Sequence, residues 1–512
     1  MDFRPGNSPP KLRCGPSRPR QDTPQALTGT GSFTFPHFHF ANFEATDGSR
    51  SVDVRDSSKN PLRPQTGEGT KRFIISNPPL FFEAKTMRKV AVVAGGISRY
   101  QKPRHENQEE MVAEAMKEAL EDTPNLSIRD IDNHVCSYFS DHFEQQLAFS
   151  WILNDYLGLT PKPVFRVENG GAGPGTAIRT AWALVASGLS DICLVSGFEK
   201  QGEVSSAKAN EFIALASDTD FDFPVGGYYT GYYAAMEARH MYLYGETEED
   251  LAMIAVKNRN YSLDNPYAQW PIECGGKRIT VGDVLSSRLI AWPLKVLDCC
   301  LLSEGASVIV LASPKYAKKI TDTPIWITGV GLGSDMMRPG DRPDNPGFHG
   351  MFPSEARAYP KHALKPREPY PEMTNFGACK VAARTAYKMA GIKKPVKEID
   401  IVEIHDAYDS SELQTYEDLD FCRRGEGKNL IREGQTYVDG DIPVNVSGGL
   451  EGFGHPVGST AIGQTVELFW QLRQEIGRKH KSDATQVKGA KVGLNHSHAG
   501  TGTAIAVMIM ER

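Results

Sequence analysis

From Met87 onward the chain states one pattern twice, and that duplication limits what it can fold into more than any other feature. KVAVVAGGISRY (residues 89–100) and PIWITGVGLGSD (residues 324–335) are short apolar runs that end in glycines, the form of buried strands. The first is followed by a helix that sets Met111, Val112, Ala115, Met116, Ala119 and Leu120 on one face, then by IRDIDNHVCSYFS. The second is followed by a helix with Ala378, Ala382, Ala386, Met389 and Ala390 on one face, then by VKEIDIVEIHDAYDS. Each half continues through glycine-rich loop, helix and strand: NGGAGPGTAIRTAWALVASGLSDICLVSG in the first, SGGLEGFGHPVGSTAIGQTVELFWQLR and AKVGLNHSHAGTG in the second. Strands alternating with helices of this length predict an α/β fold of mostly parallel sheets with helices on their faces. Duplication predicts two such sheets, related by a pseudo-twofold axis. The tyrosine-rich stretch of about 198–290 then reads as an insertion in the first half, a lid or the wall of a substrate tunnel.

A chain of 512 residues has core material for two halves, set at 87–323 and 324–512. With 57 basic and 63 acidic residues the net charge is -6, and no basic stripe with interleaved aromatics occurs, so a nucleic-acid partner is excluded. Eight cysteines without a CxxC pair argue against a disulfide framework or a structural zinc site and for reduced, buried thiols. No apolar run reaches the roughly 18 residues of a membrane span, which points to a cytoplasmic body. Residues 1–86, rich in Pro, Gly, Ser, Thr and Arg, read as disordered or as a leader.

In such a fold, ligands collect where strands end in glycine loops and helices begin. VFRVENGGAGPG (residues 164–175) is one such point, and its layout is that of a dinucleotide loop. That reading needs a carboxylate at the end of the next strand; Asp191 begins the strand, and Glu199 lies just past its glycine. Three histidine-bearing segments fall at equivalent points: EIHDAYDSSEL with His405, GLEGFGHPVGS with His455, and GLNHSHAGTG with His496 and His498 at the end of the last core strand. A metal held by His496, His498, His405 and Asp406 is an alternative, weakened because glycines follow the HxH pair at once.

At NVSGGLEGFGHPVGSTAIGQ, supported by EIHDAYDSSELQTYEDLDFC, CRRGEGKNLIREGQ and LDCCLLSEGASVIVLAS, the chain resembles the thiolase superfamily over residues 87–512. Within it the chain is similar to the sterol-carrier-protein and archaeal thiolase-like branch. The resemblance implies a thiolase fold of two duplicated halves in a five-layered αβαβα arrangement, an obligate homodimer, and action on coenzyme A thioesters with no permanently bound cofactor. It also implies a small zinc-ribbon and OB-fold partner subunit. His455 matches the residue that polarises the nucleophilic cysteine and helps hold a thioester oxygen, and His405 matches the position that completes this oxyanion hole. Backbone N–H groups at Gly171 and near Gly500 match a second hole, with the helix beginning near Thr176 pointing its positive end into the pocket.

Two positions depart from the pattern. The acylated cysteine of the family falls at Gly171, which has no nucleophile, and the second, acid/base cysteine falls at His498. A ping-pong acyl transfer therefore lacks its first reactant. The expected function is C–C bond formation or cleavage next to a CoA thioester, in the manner of an acyl-CoA C-acyltransferase without the cysteine. The first alternative is retro-aldol cleavage of a β-hydroxyacyl-CoA, for which cysteine-free thiolase-fold aldolases use tyrosines; Tyr408 and the GGYYTGYY cluster (residues 226–233) are the candidates. The second alternative is a non-catalytic subunit that binds acyl-CoA or lipid.

Overall fold

The computed structural model describes residues 87–342, 350, 352 and 373–512. The segment 1–86, read above as disordered or a leader, lies outside the described residues. Eleven strands are present among the described residues: β1 Val90–Ile97, β2 Asn133–Ser137, β3 Val164–Arg166, β4 Ile192–Lys200, β5 Leu289–Ala291, β6 Leu294–Lys295, β7 Glu304–Ala312, β8 Ile325–Ser334, β9 Ile401–Glu403, β10 Val492–Ala499 and β11 Ala504–Glu511. Nine of them form one sheet in the order β3-β2-β4-β7-β1-β8-β11-β10-β9, and β5 pairs with β6 as a separate hairpin.

This corrects the expectation of two separate, mostly parallel sheets. The first half supplies five neighbouring strands and the second half four, and three residues of β1 pair with β8 (Val90↔Ile327, Ala91↔Trp326, Val92↔Ile325) to join them. Only β2–β3, β2–β4 and β9–β10 are parallel. The remaining pairings are antiparallel because β10 turns straight into β11, while β7 returns from the insertion against β4 and β1.

The five layers follow from the alternation of side chains along strands buried on both faces. Val90 and Val92 of β1 enter a core shared with helices Gly173–Ser187 and Thr460–Arg473, one from each half. Ala91 and Val93, pointing the other way, meet helix Gln108–Glu121, whose buried residues are Met111, Val112, Ala115, Met116 and Ala119. On β11, Met508 and Met510 face the central helices, while Ile505, Val507 and Ile509 face helix Gly377–Ala390. That helix approaches β8 along a glycine–alanine seam: Cβ atoms at Gly329, Gly331 and Gly333 would run into the carbonyls of Ala386, Ala382 and Ala378. Met389, expected on the same face, is 41 % exposed in the helix's last turn.

The stretch after β4 folds into helices that include Ser206–Ala214, Tyr229–Tyr244 and Glu248–Ser262, followed by the β5–β6 hairpin. No helix among the described residues is long and apolar enough to cross a membrane.

Candidate active site

β3 lasts three residues, and the helix after it starts at Gly173, three residues before the expected Thr176, with Pro174 in its first turn where no N–H is needed. The glycines between strand and helix have a packing reason. A Cβ at Gly170 would lie 3.2 Å from the Ala499 Cβ, one at Gly171 would lie 2.5 Å from the His498 carbonyl oxygen, and one at Gly175 would lie 2.5 Å from the Ser497 Cβ. The end of β10, from the second half, rests on this turn of the first. The dinucleotide reading falls with that contact, and with its carboxylate: Glu199 is buried inside β4, where it accepts from the N–H groups of Phe139 (2.7 Å) and Gly458 (3.0 Å). Asp191 pairs with Arg88 at 2.7 Å.

His405 lies two residues past the end of β9, and His455 sits in the turn ahead of helix Thr460–Arg473. His496 and His498 are inside β10 rather than at the end of the last strand; β10 runs on to Ala499 and pairs with β11 (His496↔Val507, His498↔Ile505), so both rings share one face. The His405 ring stacks on His498 at 5.7 Å and meets His455 edge-on at 4.8 Å, with His496 5.7 Å from His498. A cavity of about 290 Å³ is lined by His405, His455, His498, Tyr408, Gly171 and Gly500, together with Tyr229, Thr230 and Tyr233 of the insertion.

The metal alternative does not match this geometry. Asp406 is taken up as an acceptor by the Leu450 N–H (2.8 Å) and Asn258 Nδ2 (2.9 Å), which locks the loop before His455 to the one carrying His405. Among the described residues, the His/Asp/Glu group close enough to share an ion is His240, Glu246 and Glu417, away from these histidines. Burial there opposes a charge, but Glu246 and Glu417 on either side raise the His240 imidazole to about 9. An imidazolium clamp between the insertion and the second half accounts for the cluster.

All four cavity-region histidines are neutral. Burial alone lowers His455 and His496 to about 3. Burial and the neighbouring histidines hold His405 well below its ordinary value, and burial with His496 and Arg342 does the same to His498. His455 Nδ1 lies 2.7 Å from Thr460 Oγ1, whose single hydrogen goes to the Pro456 carbonyl at 3.0 Å. Nδ1 is therefore the donor, and Nε2 keeps its lone pair. The Tyr408 hydroxyl is 2.9 Å from Thr230 Oγ1, and burial pushes its phenol well above the ordinary value, so it stands as an O–H donor.

Two residues not predicted for the site line the same cavity: Cys299 and Cys300. Their segment runs beside His405–Tyr408, with the Cys300 N–H donating to the Ala407 carbonyl at 2.9 Å, and Leu302 bridges to His455. Burial pushes Cys300 up to about 12 and Cys299 well above its ordinary value, so both are thiols rather than thiolates. Their spacing before a core strand carried no signal of this, because the cavity wall is completed by a loop folding back.

The thiolase N-terminal domain model matches residues 90–315, and the thiolase C-terminal domain-like model matches residues 366–512. An acetyl-CoA acetyltransferase of Methanothermobacter thermautotrophicus is 36% identical over 427 residues, which cover 83% of this chain and 100% of that protein. Sterol carrier protein 2 of Homo sapiens is 31% identical over 444 residues, 84% of this chain and 73% of that protein. Among solved structures, the Ltp2-ChsH2(DUF35) aldolase superposes with a TM-score of 0.65 at 22% identity, over 83% of this chain and 98% of that one, a likeness of fold. Histidines from a strand end, a glycine turn and a strand meeting in one cavity, in a chain matched by both domain models and by a relative along its whole length, lead to one assignment: the chain belongs to the thiolase family.

Proposed function

We propose that this protein breaks or makes a carbon–carbon bond next to the carbonyl of a coenzyme A thioester without an acyl-enzyme, by aldol-type cleavage of a β-hydroxyacyl thioester. The observation that carries the reading is Gly171: where the resemblance puts the family nucleophile, a Cβ would lie 2.5 Å from the His498 carbonyl oxygen, so a thiol fits only if β10 shifts, while three neutral histidines still converge on the cavity. A neutral imidazole takes the β-hydroxyl proton, the Cα–Cβ bond breaks as the carbonyl forms, and its electron pair enters the thioester enolate. His405, in the first hole, meets the charge on the enolate oxygen, and the backbone N–H groups of Gly171 and Gly500, in the second, face the oxygen of the carbonyl that is formed. The proton returns to the α-carbon, with His455, His498 and Tyr408 as the groups that carry or donate it. Protons balance within the site, so the scheme needs no bound cofactor.

C-acyl transfer, the activity in the name of the Methanothermobacter relative, is the second reading, favoured by 36% identity along that whole protein. A cytoplasmic homodimer belongs to the same proposal: among the described residues β3 is an edge strand, and Phe165 within it and Trp151 on the neighbouring helix are exposed. So does a small zinc-ribbon and OB-fold partner, in keeping with the Ltp2-ChsH2(DUF35) pairing of the aldolase neighbour.

The test presents the purified protein, with any small partner that co-purifies, with branched 3-hydroxyacyl-CoAs, and separately with 3-ketoacyl-CoAs plus CoA, reading products by mass spectrometry. Cleavage of the hydroxyacyl substrates is expected, falling about 100-fold or more in His455→Ala. Alkylation is a poor probe, because a group on Cys299 or Cys300 would block the cavity; the double variant Cys299→Ser/Cys300→Ser is expected to keep cleaving. Thiolysis of ketoacyl-CoA that disappears in this variant would replace the proposal with thiol catalysis. CoA binding without turnover in either panel would make the chain a non-catalytic subunit.

A further inference from the structure

His498 stands where the family pattern has a thiol, so what orients its ring has to come from this chain's own surroundings. One residue does so from outside the duplicated halves. Tyr233, on helix Tyr229–Tyr244 of the insertion, is 3 % exposed, and its Oη lies 2.8 Å from His498 Nε2 and 2.9 Å from the Gly500 carbonyl oxygen. A phenol has one hydrogen, and a carbonyl can only accept. Were that hydrogen aimed at the imidazole, two oxygen lone pairs would face each other at 2.9 Å in a buried site. The hydrogen therefore goes to Gly500, and Nε2–H of His498 donates to the Tyr233 oxygen.

The rest of the surroundings holds this arrangement still. Tyr233 packs its ring on Tyr408 at 4.6 Å and on Phe376 at 6.2 Å, and Phe376 stands edge-on to the His498 ring at 4.7 Å. The turn that presents the Gly500 carbonyl is tied down by Arg342, which donates to the Thr501 carbonyl at 2.7 Å and to Thr501 Oγ1 at 2.9 Å. His498 Nδ1 is buried and has no hydrogen-bond partner among the described residues.

We propose that Tyr233 is a positioning residue that fixes His498 as the Nε2–H tautomer, leaving Nδ1 as the atom that exchanges a proton with substrate. The inference rests on the carbon–carbon bond reading above and deepens it. When Nδ1 takes the β-hydroxyl proton, the new imidazolium keeps its Nε2–H bond to Tyr233, whose own hydrogen stays on the Gly500 carbonyl. The proton then leaves from Nδ1 to the α-carbon of the enolate, so nothing is consumed. The insertion is thus part of the proton-transfer apparatus as well as a cover for the cavity.

The experiment uses Tyr233→Phe in the full chain, which keeps the ring and removes only the hydroxyl. With a 3-hydroxyacyl-CoA that the wild type cleaves, kcat is expected to fall about 10- to 100-fold with KM changed less than about threefold. In protein labelled with ¹⁵N-histidine, and with His498→Gln to assign the resonances, wild-type His498 is expected to show a protonated Nε2 and an unprotonated Nδ1. Tyr233→Phe is expected to give a mixture of tautomers at an unchanged thermal midpoint. An Nδ1–H tautomer in the wild type, or an unchanged tautomer and kcat in the variant, would overturn the inference. The spectrum needs no turnover: a blank substrate panel beside the expected tautomers would remove the reaction and leave the clamp, whereas normal cleavage with the opposite tautomer would do the reverse. Should Tyr233→Phe unfold, Tyr233→Trp, which keeps an aromatic ring without a hydroxyl, is measured in the same way.

Discussion

At the scale of single residues, position 171, where the family resemblance puts the nucleophile, is closed by space as well as by residue type. With the His498 carbonyl 2.5 Å from where a Cβ would stand, β10 has to retreat before any side chain fits. Gly171→Cys is therefore expected to leave thiolysis of ketoacyl-CoA unrestored and to cost about 1 to 3 kcal/mol of stability, measured by urea unfolding. A large gain of thiolysis would show that β10 yields. His405, His455 and His498 were legible as a group because each lies in or next to a strand that leads into a loop, or in a glycine turn, and the strand-and-loop pattern locates such points without coordinates. Cys299, Cys300 and the particular tyrosine of the cluster that reaches His498 were not, since each depends on how a long insertion folds back across the cavity. Neutrality of the histidines was equally hidden, because burial, which sets it, has no local signature.

Elements are tied to one another by buried carboxylates. Glu199 in β4 accepts from Phe139, which lines the cavity, and from Gly458, which follows His455, and so fixes the cavity wall to the His455 turn. Burial pushes this carboxyl up to about 8 although both N–H groups act to lower it. Between the ordinary value of 4.5 and about 8 the fold keeps a proton that the unfolded chain has released. Its contribution to stability is full below the ordinary value and is lost as pH rises through about 8. Glu199→Gln does not titrate, so the stability difference between wild type and variant is expected to shrink steadily from about pH 5 to about pH 8, read as urea midpoints at several pH values. A difference independent of pH would mean that Glu199 is ionised throughout. At this scale the order of strands and helices was readable from apolar periodicity, but strand direction was not. The reversal of β10 into β11 lies in SHAGTG, a turn whose glycines equally suit a loop or a hairpin.

For the whole molecule, duplication explains the layering, and the sheet explains where a second copy would attach. Among the described residues β3 ends the nine-stranded sheet with one side unpaired; Phe165, 38 % exposed, is its middle residue, and Trp151, 65 % exposed, is on the neighbouring helix Phe149–Tyr156. A dimer built on this edge is expected to dissociate when Phe165→Glu or Trp151→Glu sets like charges across the symmetry axis, seen as a halved mass in analytical ultracentrifugation. Unchanged mass in both variants would place the contact elsewhere. The seam of Gly329, Gly331 and Gly333 against Ala378, Ala382 and Ala386 has a longer reach than its plain composition implies. With no gap for sliding or rolling, helix Gly377–Ala390 is a rigid lever whose fulcrum is β8, and Phe376, at its tip, is the end that touches His498. A methyl group added along the seam would push the helix off β8, and Phe376, the ring that stands edge-on to His498, sits at the end of that helix.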